Sequence, residues 1–245
     1  MAQHIGIVAC SAEGAALCYR TLCLEGAASM GKHAHPEISL HSHSLADYVD
    51  CIHRDDWQGV GEIMLSSAHK LAAAGADFLI CPDNTIHQAL PLIQSRSPLP
   101  WLSIAEVVAK EASSHGFHCV ALTGTRWLTE SRVYPDKLEA IGLRYLLPNE
   151  EERNEINRII MDELVRGDFK PQAIAFLQQV IGRLKAEGCD AVVLGCTEIP
   201  LILNDENSPL PTLDSTRLLA RAALRYAIEK PTPVPSLHPL QSRSR

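Results

Sequence analysis

One helix-to-strand junction occurs twice in the chain, at a constant spacing. The first copy is HKLAAAGADFLICPDNT (69–85) and the second is GRLKAEGCDAVVLGCTE (182–198). A leucine, a glycine and an aspartate recur at equivalent places, as Leu71 with Leu184, Gly75 with Gly188, and Asp77 with Asp190. A glycine that ends a helix before an apolar strand is common. A spacing that is held through helix, strand and the residues that follow indicates a duplicated unit.

The order of elements around the two junctions is also repeated. HCVALTGT (118–125) resembles the opening strand and turn that begin with HIGIVAC (4–10). Strand patterns alternate with helix patterns along the chain, which predicts an α/β protein with mainly parallel sheets.

We therefore expect two pseudosymmetric domains, each a mainly parallel sheet flanked by helices. The predicted first domain is 1–112 and the second is 113–212. A helix over 213–228 is free to pack back on the first domain. The remaining segment, 229–245, is rich in proline and is expected to form a mobile tail.

The constant spacing aligns Asp83 with Cys196, and each directly follows an equivalent strand. Ligands of parallel α/β sheets bind beyond the carboxyl ends of the strands. If a pseudo-twofold axis relates the domains, the two side chains face one another across the cleft between them. Two titratable groups on opposite sides of one substrate atom are what a two-base proton transfer requires.

Composition excludes several classes of partner. The net charge of −7 and the absence of a basic block, apart from the extreme end, give no electrostatic footprint for nucleic acid. No apolar run reaches the roughly 18 residues of a membrane span, and the first residues lack signal-peptide features. Eight cysteines are scattered without a CxxC pair, which favours a reduced, cytoplasmic protein over a disulfide scaffold.

Cofactor motifs are equally absent. The Gly-rich patterns of nucleotide-binding loops do not occur. The HxH spacing of His41 and His43 places two imidazoles on one face of a strand, but no acidic or cysteine partner stands at ligand spacing. We therefore expect neither a metal nor another cofactor.

Five segments of the chain resemble the aspartate/glutamate racemase superfamily. Two of them, CPDNTIH (81–87) and LGCTEIP (194–200), resemble its two signature motifs and form a correctly spaced pair. The others are 121–143, 148–169 and 211–224. The resemblance extends over nearly the whole chain.

The resemblance implies racemisation without pyridoxal phosphate or any other cofactor, in a cleft between two pseudosymmetric α/β domains. One residue removes the α-proton of a small carboxylic acid, such as an amino acid, and a partner on the opposite face returns one. In the family both are usually cysteines, before Asn-Thr and before Thr-Glu or Thr-His. Carried across, Cys196 is one acid/base, and Asp83 stands at the position of the other. A homodimer is also implied.

The resemblance further implies which residues hold the substrate. The α-carboxylate is expected to bind a set of amide and hydroxyl side chains: Asn84, Thr85, Thr197, Ser11, and Thr123 or Thr125. Glu198 is expected to meet the substrate amine or to orient Cys196. Donors at these turns would stabilise the enediolate-like charge that develops on the carboxylate.

Asp83 is the main departure from the family pattern. Ordinary pKa values of about 3.9 for Asp and about 8.5 for Cys make an unperturbed Asp83 the weaker base by roughly 6 kcal/mol. Three interpretations stay open. Burial tunes Asp83 as the base of a true racemase, the substrate has a more acidic α-proton, or Asp83 only positions a group and Cys196 protonates one face, as in single-cysteine decarboxylases of the superfamily.

The first turn departs as well. ACSAEG (9–14) replaces the Gly-Gly-Met-Gly-Pro type of sequence that family members often carry. No arginine stands in an obvious position to clamp a side-chain carboxylate, and His43, Ser44 and Arg54 are the weak candidates for that role. A catalytically inactive homologue that binds a small acid is the alternative from another class of protein.

Overall fold

The strands are short apolar runs that helices cover on both faces. Ile5–Ala9 and Cys119–Thr123 are buried at every position, as expected for parallel strands inside an α/β layer. The computed structural model describes residues 2–229. Apart from Glu229, the predicted tail, 229–245, lies outside the described residues.

The first half contains a four-stranded sheet in the order β2-β1-β3-β4. Its strands are β1 (Ile5–Ala9), β2 (Ile38–Ser42), β3 (Phe78–Ile80) and β4 (Trp101–Leu102). Its helices are α1 (Ala12–Met30), α2 (Leu45–His53), α3 (Trp57–Ala73), α4 (Leu90–Ile93) and α5 (Ile104–Ser114), with 3₁₀ turns at Thr85–Ala89 and Gln94–Arg96.

The second half contains a four-stranded sheet in the order β6-β5-β7-β8. Its strands are β5 (Cys119–Thr123), β6 (Arg144–Leu146), β7 (Ala191–Leu194) and β8 (Thr212–Asp214). Its helices are α6 (Arg126–Thr129), α7 (Pro135–Glu139), α8 (Glu150–Arg158), α9 (Pro171–Ala186) and α10 (Ser215–Ile228). A π-helical turn, Ile159–Glu163, continues α8, and 3₁₀ turns lie at Leu164–Arg166 and Ile199–Leu201.

The two sheets have the same strand order, and every pair of neighbouring strands is parallel. The predicted fold class, two pseudosymmetric α/β units with parallel sheets flanked by helices, is therefore confirmed. The duplication extends to single hydrogen bonds. The backbone N–H of His4 donates to Asp77 Oδ2 over 2.7 Å, and that of His118 donates to Asp190 Oδ2 over 2.7 Å.

The glycines of the repeated junction have the same conformation. Gly75 and Gly188 end α3 and the α9 region with φ angles of 92° and 104°. A side chain is strained at such positive φ, whereas glycine adopts it freely. Both glycines therefore turn the chain from a helix directly into a buried strand.

The last helix of each half packs on the sheet of the other. Val108 and Ala109 of α5 lie in a core with β5 and β7. Leu219 and Ala223 of α10 lie in a core with β1 and β3, and the Gln3 N–H donates to the Ala227 carbonyl over 2.8 Å. This exchange joins the halves into one body and places the carboxyl ends of both sheets close together. Among residues 2–229, no helix is both long and apolar enough to cross a membrane.

Candidate active site between the two sheets

The residues that follow β1, β3, β5 and β7 line one cavity of about 80 Å³ between the two halves. A water occupies roughly 10–15 Å³ by a comparable measure, so this volume suits a small ligand. Eight of the predicted site residues line it: Ser11, Asp83, Asn84, Thr85, Thr125, Cys196, Thr197 and Glu198. The strand ends therefore bring together nearly all of the set that the sequence singled out.

Cys196 is paired with a carboxylate. Its Sγ donates a hydrogen bond of 2.9 Å to Glu198 Oε2, and the glutamate is buried. Burial, followed by the charge of Glu198 and this hydrogen bond, raises the pKa of Cys196 well above its ordinary value. The thiol is therefore protonated at rest and has an adjacent carboxylate able to receive its proton.

A chain of hydroxyl groups crosses from the first half to the same carboxylate. The Thr197 hydroxyl donates to Glu198 Oε2 over 2.9 Å. Ser11 Oγ lies 3.2 Å from Thr197 Oγ1. The only hydroxyl proton of Thr197 is engaged in the bond to Glu198, so Ser11 is the donor in this pair. Ser11 also caps α1 by accepting a bond of 3.3 Å from the Gly14 N–H. The helix cap thereby fixes the position of the network.

A second pair of hydroxyls links the halves on the other side. Thr85 Oγ1 and Thr125 Oγ1 lie 2.9 Å apart, and both residues are buried. Thr125 caps α6 by accepting a bond of 3.2 Å from the Leu128 N–H, as Ser11 caps α1. The duplicated turns therefore place one capping hydroxyl from each half against the opposite half.

Asp83 occupies the strand end opposite Cys196. Its Oδ1 accepts a bond of 3.1 Å from the Ile86 N–H. Withdrawal from water raises the pKa of Asp83 and the charge of Glu198 adds to this, while the Ile86 and Thr85 N–H groups and the Cys10 thiol oppose it. The net change is upward, so the structure makes Asp83 a stronger base than an exposed aspartate.

His87 supports the Asp83 turn from behind. Its Nδ1 lies 2.6 Å from the Asp83 carbonyl oxygen, and its Nε2 accepts a bond of 3.3 Å from the Ile104 N–H. This pattern requires a neutral ring with the proton on Nδ1. Burial lowers the pKa of His87 to about 4. His87 thus holds the Asp83 turn through hydrogen bonds.

Two residues that were predicted to bind the substrate carboxylate form hydrogen bonds with other groups of the protein. Thr123 does not line the cavity, because it still belongs to β5 and its hydroxyl donates to the Val193 carbonyl over 2.8 Å. Of the alternatives Thr123 and Thr125, only Thr125 reaches the cavity. Asn84 lines it, but its Oδ1 accepts from Tyr134 over 2.7 Å and its Nδ2 donates to Ser215 over 2.9 Å. These bonds fix the orientation of the amide.

Apolar side chains from both halves cover the rest of the cavity. α2 contributes Leu45, Val49 and Ile52, and the segment that starts at the π turn contributes Ile160, Met161 and Val165. At the edge, the rings of His53 and Trp127 lie 5.6 Å apart. Within the described residues, the cavity lining contains no lysine or arginine. The weak candidates His43, Ser44 and Arg54 are not among the lining residues, and His43 bonds instead to Ser66.

A model of the Asp/Glu/hydantoin racemase family matches residues 7–223. The chain belongs to this family. The broad specificity amino-acid racemase RacX of Bacillus subtilis (strain 168) is 24% identical over 190 residues, which are 78% of this chain and 81% of RacX.

Two solved structures of the racemase family superpose over most of the chain. A putative Asp/Glu racemase from Yersinia pestis is 29% identical, with a TM-score of 0.85 and coverage of 93% of this chain and 100% of that one. An aspartate racemase homologue from Pyrococcus horikoshii OT3 is 28% identical, with a TM-score of 0.80 and the same coverage.

Sequence reasoning missed three residues of this racemase-family site. Cys10 lines the cavity at the end of β1. Tyr134 and Ser215 hold the Asn84 amide from behind. Ser215 begins α10, and Tyr134 precedes α7. Neither lies in a signature motif, and their partner is far away in the sequence. The only available signal for Cys10 was its place after the first strand, directly before Ser11.

Proposed function

We propose that the chain is a cofactor-independent amino-acid racemase that exchanges the α-proton of its substrate between the two halves. The observation that carries the proposal is the Cys196 thiol bonded to the buried Glu198, with the acidic Asp83 contributed by the opposite half to the same cavity. Cys196 serves one face of the α-carbon. Asp83 lies at the position of the acid/base group that serves the other face.

The hydroxyl-rich turns supply the electrostatic part of catalysis. Removal of the α-proton converts the carboxylate into an enediolate, which carries additional negative charge. The Thr85 and Thr125 hydroxyls use one of their two protons for the bond between them, which leaves one for a ligand, and the Asn84 amide has a second N–H besides the one that it donates to Ser215. Fixed donors of this kind stabilise developing charge without reorganisation, each by about 3 kcal/mol.

The apolar lining favours a substrate whose side chain is uncharged. An aspartate or glutamate side chain buried here would need a cation, since an unpaired buried carboxylate is costly. The described cavity lining offers the apolar side chains of Met161, Ile160 and Val165 instead of a cation. We therefore favour amino acids with an apolar side chain over aspartate and glutamate.

The same lining supports a second candidate. An apolar surface next to a carboxylate disfavours the charged group relative to neutral CO₂. A substituted malonate that bound here would lose one carboxylate as CO₂, and Cys196 would protonate the resulting carbanion on one face. This one-sided decarboxylation needs no acid/base group from the first half.

Deuterium exchange separates these functions. The purified protein would be incubated in D₂O with each enantiomer of alanine, leucine, methionine, aspartate and glutamate, and with substituted malonates, and followed by NMR. We expect deuterium at the α-carbon with inversion, from both enantiomers of an apolar amino acid. Cys196→Ala should lose inversion, and Cys189→Ala, which removes a buried thiol that does not line the cavity, should retain it.

Two other outcomes are decisive. Loss of CO₂ from a malonate, with a product of one hand, would establish the decarboxylase instead. Inactivity throughout the panel, combined with a bound amino acid detected by calorimetry, would establish an inactive binding homologue.

A further inference from the structure

Cys10 is a second thiol in the cavity, besides Cys196. It lies one residue after β1 and is 5% exposed, against 8% for Cys196. Cys81, the cysteine nearest to Asp83 in the sequence, is fully buried and does not line the cavity. Of the thiols of the first half, Cys10 is therefore the one that lines the cavity.

The register of the sheet places Cys10 beside Asp83. β1 and β3 are adjacent and parallel, with Ile5 opposite Phe78 and Ile7 opposite Ile80. The same pairing, carried just past the strand ends, puts Cys10 level with Asp83. The thiol and the carboxylate both line the cavity, and the charge of Asp83 helps burial to raise the pKa of Cys10.

The second half contains the same combination of groups. There the Cys196 thiol donates to the Glu198 carboxylate, two residues away in the chain. In the first half, the thiol and the carboxylate come from two neighbouring strands. Each side of the cavity therefore has one thiol and one carboxylate.

We propose that Cys10 is the acid/base that touches the substrate on the first-half face, and that Asp83 is a positioning residue which accepts the Cys10 proton. This inference rests on the proposed racemase function and assigns its missing group. The ordinary pKa of a cysteine thiol is about 4.6 units above that of an aspartate carboxyl. A thiolate is therefore the stronger base for a weakly acidic α-proton. Two thiols also match the base strength on the two faces.

The proton balance is complete. The Cys10 proton moves to Asp83, and the Cys10 thiolate takes the α-proton as the Cα–H bond breaks. Cys196 then gives its proton to the opposite face and becomes the thiolate. One proton leaves the α-carbon and one reaches it, and exchange with water restores the starting state. The reverse reaction uses the same groups in opposite roles.

Exchange without inversion tests which first-half group touches the substrate. The probe is each enantiomer of the amino acid that exchanges fastest in the wild type. In Cys10→Ala and Cys10→Ser, we expect inversion to fall at least about 100-fold. One enantiomer should still exchange its α-proton through Cys196, and the other should not. Asp83→Asn should slow, without abolishing, the exchange of the enantiomer whose α-proton faces Cys10, because the acceptor for the Cys10 proton is lost. It should leave the exchange of the other enantiomer through Cys196 and Glu198 in place.

The opposite pattern would overturn the inference. If Asp83 touched the substrate, Asp83→Asn would abolish exchange of one enantiomer and Cys10→Ser would leave both unchanged. The absence of exchange in the wild type would reject the racemase function, and this inference with it. Normal exchange in the wild type and in Cys10→Ala would reject this inference alone.

Alkylation of Cys10 by iodoacetamide, followed by peptide mass spectrometry across pH, gives a readout other than turnover. The titratable groups that face Cys10 are Asp83, Cys81, Tyr48 and Glu198. Burial and then the Asp83 charge raise the pKa of Cys10. Asp83→Asn should therefore shift its alkylation profile to lower pH, and Cys189→Ala should not. An unchanged profile in Asp83→Asn would contradict the pairing.

Discussion

The Cys196 thiol and the Glu198 carboxylate form a hydrogen bond of 2.9 Å within the cavity between the two halves. A thiol that must shuttle a proton benefits from an adjacent acceptor, because only the thiolate removes a proton from carbon. The bond also holds Sγ towards the cavity. Glu198 thus has two separable effects, on the reactivity of Cys196 and on its pKa.

Glu198→Gln should separate the effect of Glu198 on the pKa of Cys196 from its effect on the reactivity of Cys196. The charge of Glu198 raises the pKa of Cys196, so the neutral amide should lower it and shift alkylation of Cys196 to lower pH. The proton acceptor is lost, so kcat should fall by about 10²-fold or more. Glu163→Gln is a matched control, since Glu163 is also buried but bonds to Arg158 outside the cavity. It should leave the Cys196 titration unchanged.

Asp83→Asn should stabilise the protein at neutral pH. The pKa of Asp83 is raised in the folded state, so its ionisation costs folding free energy once the pH exceeds the pKa of the unfolded chain. The amide keeps the acceptor for the Ile86 N–H and removes the buried charge. Each kcal/mol gained should raise Tm by about 2–4 °C.

The pH dependence checks the cause of that stabilisation. The difference in Tm between Asp83→Asn and wild type should be largest at pH 7–8. It should shrink towards pH 4, near the ordinary pKa of an exposed aspartate, because below that pH the carboxyl becomes protonated in both states. A difference that stayed constant over this range would show that the charge is not the cause.

His87 should make the protein sensitive to acid. Its pKa falls to about 4 in the folded state because it is buried, against about 6.5 for an exposed histidine. The unfolded chain therefore binds more protons between these values. Stability should be complete above pH 6.5 and should decrease, by on the order of 3 kcal/mol, as the pH falls to 4.

Denaturant unfolding at a series of pH values would measure this effect. His87→Asn keeps a donor for the Asp83 carbonyl and cannot titrate, so the free energy of unfolding of this variant should vary less over this pH range. At pH 7.5 the variant should be less stable than the wild type, because it loses the bond from the Ile104 N–H. The exposed His69 provides the control, and His69→Asn should retain the wild-type slope.

The chemistry at the strand ends was predictable from the sequence to an unequal degree. The repeated junction was enough to align Asp83 with Cys196, because a duplicated strand ends at equivalent points. Cys10 was missed, because Asp83 follows a neighbouring strand and only the register of β1 and β3 places the two residues at the same level. Thr123 was included, because no pattern tells whether the hydroxyl at a strand end bonds to the next strand or faces a ligand.

The same limit applies to tertiary features. The exchange of α5 and α10 between the sheets depends on which apolar faces meet, and local patterns do not specify that. The π turn at Ile159–Glu163 lies within an ordinary helical pattern. π turns are frequent at functional sites, and here the turn delivers Ile160 and Met161 to the cavity.

Gly14 should be needed for the close approach of the two halves. A Cβ at this position would lie 2.7 Å from the Pro82 carbonyl oxygen and 2.7 Å from Thr197 Cγ2. Gly14→Ala should therefore displace Thr197 from Ser11, destabilise the protein by about 1–3 kcal/mol and lower kcat/KM. Gly182→Ala is the matched control, because nothing lies within 4 Å of its Cβ in α9. It should stabilise the helix by about 0.5–1 kcal/mol.

Met161 should control which side chain the substrate carries. It lies on the π turn and is half-buried against the cavity. Met161→Lys would place an ammonium group where the described lining is apolar and would pair with a side-chain carboxylate. We expect the ratio of kcat/KM for aspartate to that for methionine to rise at least about tenfold, equivalent to about 1.4 kcal/mol. Met161→Leu keeps the volume and should keep the apolar preference. An equal loss for both substrates in Met161→Lys would mean that this side chain does not contact the substrate side chain.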